Sequence, residues 1–134
     1  MQTFLPYPSF EKSLVCLDFK RLGKQRVEAF QILNIILKRT NTKGWKNHPS
    51  VKMWKNYPNA LKLYLNLSIK EWIKRGYQNS MQFEKIRGKI KMPFWIGNKR
   101  FHAAHRSNLL RKDKNYYSKF KWKENSNLPY SWPI

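Results

Sequence analysis

Apolar residues recur every three or four positions over long stretches of this chain, and short stretches rich in proline, glycine and asparagine interrupt them. In "NALKLYLNLSIKEWIKRG", Leu61, Leu65, Ile69, Trp72 and Ile73 make one stripe at helical spacing, and Gly76 ends the run. A long helix is predicted over residues 59–75. "DFKRLGKQRVEAFQILNIILKR" predicts another over 18–39. Pro49 and Pro58 bracket a short helix, with Pro49 suited to its first turn. Further helices are expected over 80–90 and 103–111, with a turn at "PFWIG". The first ten residues carry two prolines and read as an extended arm. The end, "NSNLPYSWPI", reads as an aromatic, proline-rich tail that must pack on the body or fray. No run alternates with period two, and no repeat or linker divides the chain. The expectation is all-α: one compact helical bundle over residues 1–134, with an extended N-terminal arm and an aromatic C-terminal tail.

The 18–39 helix carries more information than a core stripe. Projected at 100° per residue, Leu22, Ala29, Leu33, Ile36 and Leu37 share one side. Asp18, Gln25 and Arg26 fall in the same arc, and Arg21 and Glu28 sit at its edge. The C-terminal half is therefore core, while the N-terminal half turns polar groups the same way. Charges facing a core are costly unless paired or solvated in a cleft. Two arrangements meet that requirement. One is a solvated ion pair, Arg21–Glu28 or Lys24–Glu28, the latter at i, i+4. The other is an active-site or phosphate-binding cleft lined by Arg21, Gln25, Arg26 and Glu28, with Lys24 beside it.

Charge narrows the partner class. There are 28 Lys and Arg against seven acids, a formal +21. Such a surplus repels itself unless a polyanion offsets it, and nucleic acid is the leading partner, ahead of other polyanions or a membrane surface. No acid lies between Glu28 and Glu71 or between Glu84 and Asp113, so those windows carry most of the positive field. An isolated carboxylate such as Glu28, in a basic field, suits stabilising a developing cation better than donating a proton. Aromatics make up 16% of the residues, too many for all to be central, so some are expected on a binding surface. Cys16 is the only cysteine, which excludes an internal disulfide and a cysteine-based zinc site and fits a reducing, intracellular compartment. Neither a signal peptide nor a membrane span is legible.

"HAAHRSNLLRKDKNYY" concentrates donors. His102 and His105 stand at i, i+3, but His48 is the only other histidine and acids are few, so no metal site is expected. His102, His105, Arg106, Asn108, Arg111 and Lys112 offer donors along a short helix that Leu109 and Leu110 can anchor, which suits phosphate contact. The alternative is a buried histidine amid merely solvated charges. His48, before Pro49, is either a helix start or a group near a bound nucleotide. Trp45, Trp54, Tyr57, Trp72 and Trp95 are expected in the core. Tyr116, Tyr117, Trp122, Tyr130 and Trp132, in the basic tail region, are the better candidates for stacking on bases.

These segments together resemble a known family. "MQTFLPYP", "LDFKRLGKQRVEAFQIL", "GWKNHPSVKMWKNY", "EWIKRGY", "HAAHRSNLLRKDKNYYSKFKW" and "PYSWP" are similar to a bacterial and viral branch of the pyrimidine-dimer DNA glycosylases of the endonuclease V type. The resemblance implies a compact all-α fold acting on duplex DNA without metal or diffusible cofactor. It implies that a chain-terminal α-amine attacks the anomeric carbon of the damaged nucleotide and displaces the base. The Schiff base then undergoes β-elimination at the abasic site. An α-amine suits this because it titrates near 7.7–8.0, against about 10.4 for lysine. The family's nucleophile is a small residue exposed by loss of the initiator methionine. Here the second residue is Gln2, so the amine belongs to Met1 if that residue is kept and to Gln2 if it is removed. The essential glutamate of the first long helix falls on Glu28 in "QRVEAF", with Glu11 as the alternative.

A monomeric DNA glycosylase and abasic-site lyase is therefore the expected function. Two alternatives stand beside it. One is a non-catalytic, basic nucleic-acid-binding protein of the same fold. The other is an enzyme acting on a different modified base or on RNA.

Overall fold

The computed structural model describes residues 1–41 and 45–133, with only the backbone at Trp45; the expectation for that ring lies outside the described residues. Among them are six α-helices and no strand. Helix α1 is Phe10–Val15, α2 Phe19–Ile36, α3 Pro49–Trp54, α4 Pro58–Lys74, α5 Lys99–Lys112 and α6 Lys114–Tyr117. Side-chain caps start several of them. The Ser9 hydroxyl accepts from Lys12 N–H at α1, His48 accepts from Ser50 N–H at α3, and the Asn98 carbonyl accepts from Phe101 N–H at α5. His48 is thus helix-start punctuation, whatever else it does.

The helices predicted over 18–39, between Pro49 and Pro58, over 59–75 and over 103–111 are present, and "PFWIG" is a turn. Helix α1 went unforeseen because its six residues are too few for periodicity to register. The helix expected over 80–90 does not form. Residues 77–93 run instead as an extended strap along α4. Its backbone finds partners on α4 side chains. Asn59 Nδ2 donates to the carbonyls of Arg87 and Lys89 at 2.9 and 3.1 Å, and Lys62 Nζ donates to Lys85 O at 3.0 Å. Asn66 accepts from Glu84 N–H and donates to Glu84 O. Gly88 sits at φ +83°, a conformation that interrupts a helix and favours glycine. Once α4 satisfies the backbone in this way, a helix gains nothing there.

The core forms where α2 crosses α4, with α1 against α4 and α3 against α2. Leu22, Ala29, Ile32 and Leu33 of α2 are fully buried with Leu61, Leu65 and Ile69 of α4. At Gly23 an added Cβ would lie 3.1 Å from the Trp72 ring, so glycine is what lets α4 bring that indole onto α2. Trp54, Tyr57 and Trp95 are buried as expected, and Trp54 packs edge-on to Trp95 at 5.0 Å. The tail packs rather than frays. Trp122 stacks on Tyr117 at 5.6 Å, and Tyr130 lies 4.3 Å from Trp132. Cys16 is buried, its thiol donating to Ser13 O and pushed up to about 12 by that burial.

Candidate active site at the N-terminal arm

The arm has no partner strand. Side chains from across the molecule bind its backbone instead. Gln2 N–H donates to Glu28 Oε2 at 3.0 Å, and Gln2 O accepts from Gln25 Nε2 at 3.1 Å. Thr3 O accepts from the Tyr130 hydroxyl, and Thr3 Oγ1 accepts from the Trp54 indole. Phe4 N–H donates to Gln25 Oε1 at 2.8 Å, while Phe4 O accepts from the Tyr64 hydroxyl. Leu5 N–H donates to His105 Nδ1 at 2.8 Å, and Leu5 O pairs with His102 Nδ1 at 2.7 Å. Arg106 donates to Pro6 O at 2.7 Å. Residues 3–6 are buried.

The histidines divide the work at Leu5 by tautomer. His105 Nδ1 accepts, so its proton sits on Nε2. His102 Nε2 accepts from Gly97 N–H, so its Nδ1–H donates to Leu5 O. Burial lowers the pKa of both, His105 to about 3. Both are neutral spacers in the fold at pH 7.

The clamp delivers the arm to a cleft of about 360 Å³ lined by Met1, Gln2, Phe4, Lys20, Arg21, Lys24, Glu28 and Lys112. One acid thus faces four cations beside the chain start. Helix α2 supplies Lys20, Arg21, Lys24 and Glu28 from one side, and Lys112 comes from the last turn of α5. Loss of hydration lowers the Lys112 pKa, with Arg21, Lys24 and Arg111 adding to the effect and Glu28 opposing it. Burial likewise lowers the His48 pKa; the terminal ammonium adds to that and Glu28 opposes it, so all three share one electrostatic neighbourhood. Trp132 sits edge-on to His48 at 5.7 Å.

Of the residues read as DNA-facing, Arg21, Lys24 and Lys112 line this cleft together with Met1, Gln2 and Glu28. Neither ion pair expected for Glu28 forms; Arg21 pairs with Asp18 at 3.2 Å. Several others turn inward, and the expectation of phosphate contact does not fit their burial. Gln25, His102, His105, Asn108 and Tyr117 are buried, so they have no donor to offer a phosphate. Gln25 clamps the arm, and the Tyr117 hydroxyl binds Asp18 at the start of α2. Arg106 bridges Pro6 O to both oxygens of Glu124. Arg111 is exposed but directs its guanidinium to the carbonyls of Ser126 and Leu128 in the tail. Arg26 lies over the Trp72 ring at 4.5 Å and bonds Asn79 at 2.8 Å, on the α4 side of α2. Tyr116 is half-buried, with Lys119 over its ring at 3.8 Å. Lys20 and Tyr64 were missed, and Tyr130, read as a base-stacking candidate, instead donates its hydroxyl to Thr3 O of the arm. Lys20 carries no signal beyond its neighbours, and the buried Tyr64 hydroxyl, bonding an arm 60 residues away, leaves no local pattern.

Fold and site together define an all-α protein whose chain start and one carboxylate meet at a cleft lined by four cations. A family model described as pyrimidine dimer DNA glycosylase matches residues 1–85, which span the arm and α1–α4. The chain belongs to that family, and its class is a DNA repair glycosylase acting on DNA. No curated protein and no solved structure matches it. Helices α5 and α6 and the tail lie beyond the matched residues. Among the described residues no group of three or more His, Cys, Asp or Glu is placed to hold a metal ion, and no helix is long and apolar enough to cross a membrane.

Proposed function

We propose that this protein removes damaged pyrimidines, cyclobutane dimers first among them, from duplex DNA and nicks the abasic site through a Schiff base on its N-terminal amine. The observation that carries this reading is the 3.0 Å hydrogen bond from Gln2 N–H to Glu28, which puts the chain start and the carboxylate in one cleft. The α-amine of Met1, or of Gln2 after removal of Met1, attacks C1′ of the damaged nucleotide. The glycosidic bond breaks and its electron pair leaves with the base. Positive charge develops at the sugar beside Glu28, which stabilises it. The sugar ring then opens: the C1′–O4′ bond breaks, O4′ takes its electron pair and a proton, and C1′ becomes an iminium, which acidifies the C2′ proton so that its loss expels the 3′ phosphate. Lys20, Arg21, Lys24 and Lys112 hold flanking phosphates, and Gln25, Tyr64 and Tyr130 fix the amine's approach.

Sodium borohydride reduces such an iminium to a stable covalent adduct. Trapping on duplex DNA containing a thymine dimer, with intact mass identifying the terminal residue, tests the reading. A covalent complex that disappears when the α-amine is blocked is the expected result. Trapping confined to abasic DNA would leave a lyase of other base specificity. Trapping that survives blocking and is lost in Lys112→Ala would move the Schiff base to Lys112. Tight binding without trapping on either substrate would leave a non-catalytic DNA-binding protein.

A further inference from the structure

The strap is the part of this chain that the cleft does not use. Lys85, Arg87, Lys89 and Lys91 are all exposed along it. Its one acid, Glu84, is neutralised by a two-pronged pair with Arg39 at 3.0 and 3.1 Å. No further acid follows until Asp113. A solvated charge run is ordinarily held loosely. Here the backbone is bonded at Glu84, Lys85, Arg87 and Lys89 to three side chains of α4, so the array keeps a set position.

That position is away from the cleft. Gly23 and Arg26, which meet Trp72 of α4, project about 140–160° from Glu28 around α2. Asn59, Lys62 and Asn66, which carry the strap, centre about 125° around α4 from its buried Leu61, Leu65 and Ser68. Helices α2 and α4 therefore stand between the two basic surfaces. The strap and the cleft face different sides of the α2–α4 pair.

We infer that the strap is a second nucleic-acid-binding surface, which holds the phosphate backbone of another DNA segment while the cleft is occupied. Phosphate is the matching chemistry, because four closely spaced exposed cations, three of them on backbone held to α4, with no unpaired acid between them neutralise backbone charge without reading sequence. Phe83, Ile90, Met92 and Phe94 are exposed nearby, which raises the rival occupant, an anionic membrane surface. The extended strap, bonded along its length to α4, makes no amphipathic helix to lay into one, and the family's substrate is DNA.

The test compares the wild type with a variant in which Lys85, Arg87, Lys89 and Lys91 are all replaced by alanine. Glu28→Gln versions of both are used for binding, so the outcome does not depend on the chemistry proposed for the cleft. The slope of log affinity for undamaged duplex against log salt should fall by about 2 to 4, at roughly 0.9 per phosphate contact. Release from a labelled duplex should accelerate with the concentration of competitor duplex for the wild type and become independent of it for the variant. Borohydride trapping at saturating substrate, in the Glu28-containing pair, should be unchanged. Restoring the four positions as arginine should restore the slope. An unchanged slope and unchanged competitor dependence would overturn the inference. So would loss of binding to vesicles containing phosphatidylserine with DNA binding intact, which would assign the strap to a membrane surface. Failure of trapping in the wild type, with the salt slope behaving as stated, would sink the glycosylase reading alone.

Discussion

Glu28 accepts the Gln2 backbone N–H at 3.0 Å, across 26 positions of sequence. If Met1 is removed, that same nitrogen becomes the α-amine and lies in direct contact with the carboxylate. If Met1 is kept, the amine lies one residue further on, still in the cleft.

Glu28→Gln keeps an oxygen able to accept from Gln2 and removes the charge. Trapping and base release on dimer DNA should fall by at least about 10²-fold, the scale for losing one charge-stabilising group. Affinity for the same DNA and the thermal midpoint should change little. Single-turnover cleavage beside a binding titration checks this, and equal losses of both would point to a structural role instead.

Gln25 is the arm's central clamp. It accepts from Phe4 N–H and the Tyr64 hydroxyl and donates to Gln2 O. Gln25→Leu leaves those groups buried without partners, at a cost of about 2–4 kcal/mol in unfolding free energy. Denaturant titration measures the loss. In a background stable enough to tolerate it, trapping should fall further than DNA binding, because the amine loses its register.

Acid should unfold this protein well above the carboxylate range. His105 titrates at 6.5 when exposed and at about 3 in the fold, and burial lowers His102 as well. Both pKa values are depressed by folding, so their contribution is complete above pH 6.5 and is lost as pH falls below it. His105 alone should reduce stability by about 1.4 kcal/mol per pH unit in that window. Urea unfolding at pH 7, 6 and 5 gives the slope, and His105→Asn should flatten it.

Basic residues here separate into two kinds. Arg106 ties the arm to the tail through Pro6 and Glu124, whereas Lys24 lines the cleft. Arg106→Ala should lower stability by about 2–3 kcal/mol, since Glu124 and Pro6 O lose a charged partner, and leave the salt slope of binding alone. Lys24→Ala should lower that slope by about 0.9 with stability unchanged. Paired melting and salt titrations distinguish them; a reversed pattern would place Arg106 on the DNA.

The helical class, the helices α2 to α5, the basic partner class and the polar half of α2 were all legible in the chain. These are local or compositional properties: a 3.6-residue period, proline and glycine punctuation, and net charge. The same reading put a helix over 80–90, because nothing local signals that Asn59, Lys62 and Asn66 will take up the backbone of that segment. It also sent His102, His105, Gln25 and Tyr117 to DNA, where the fold buries them against the arm and the start of α2. A polar side chain looks the same in sequence whether its partner is a phosphate or a backbone amide 100 residues away. Only tertiary structure decides that, because the partner is chosen by how the chain closes. The meeting of Gln2 with Glu28 belongs to the same class: residue types hinted at it, and packing of the arm against α2 created it.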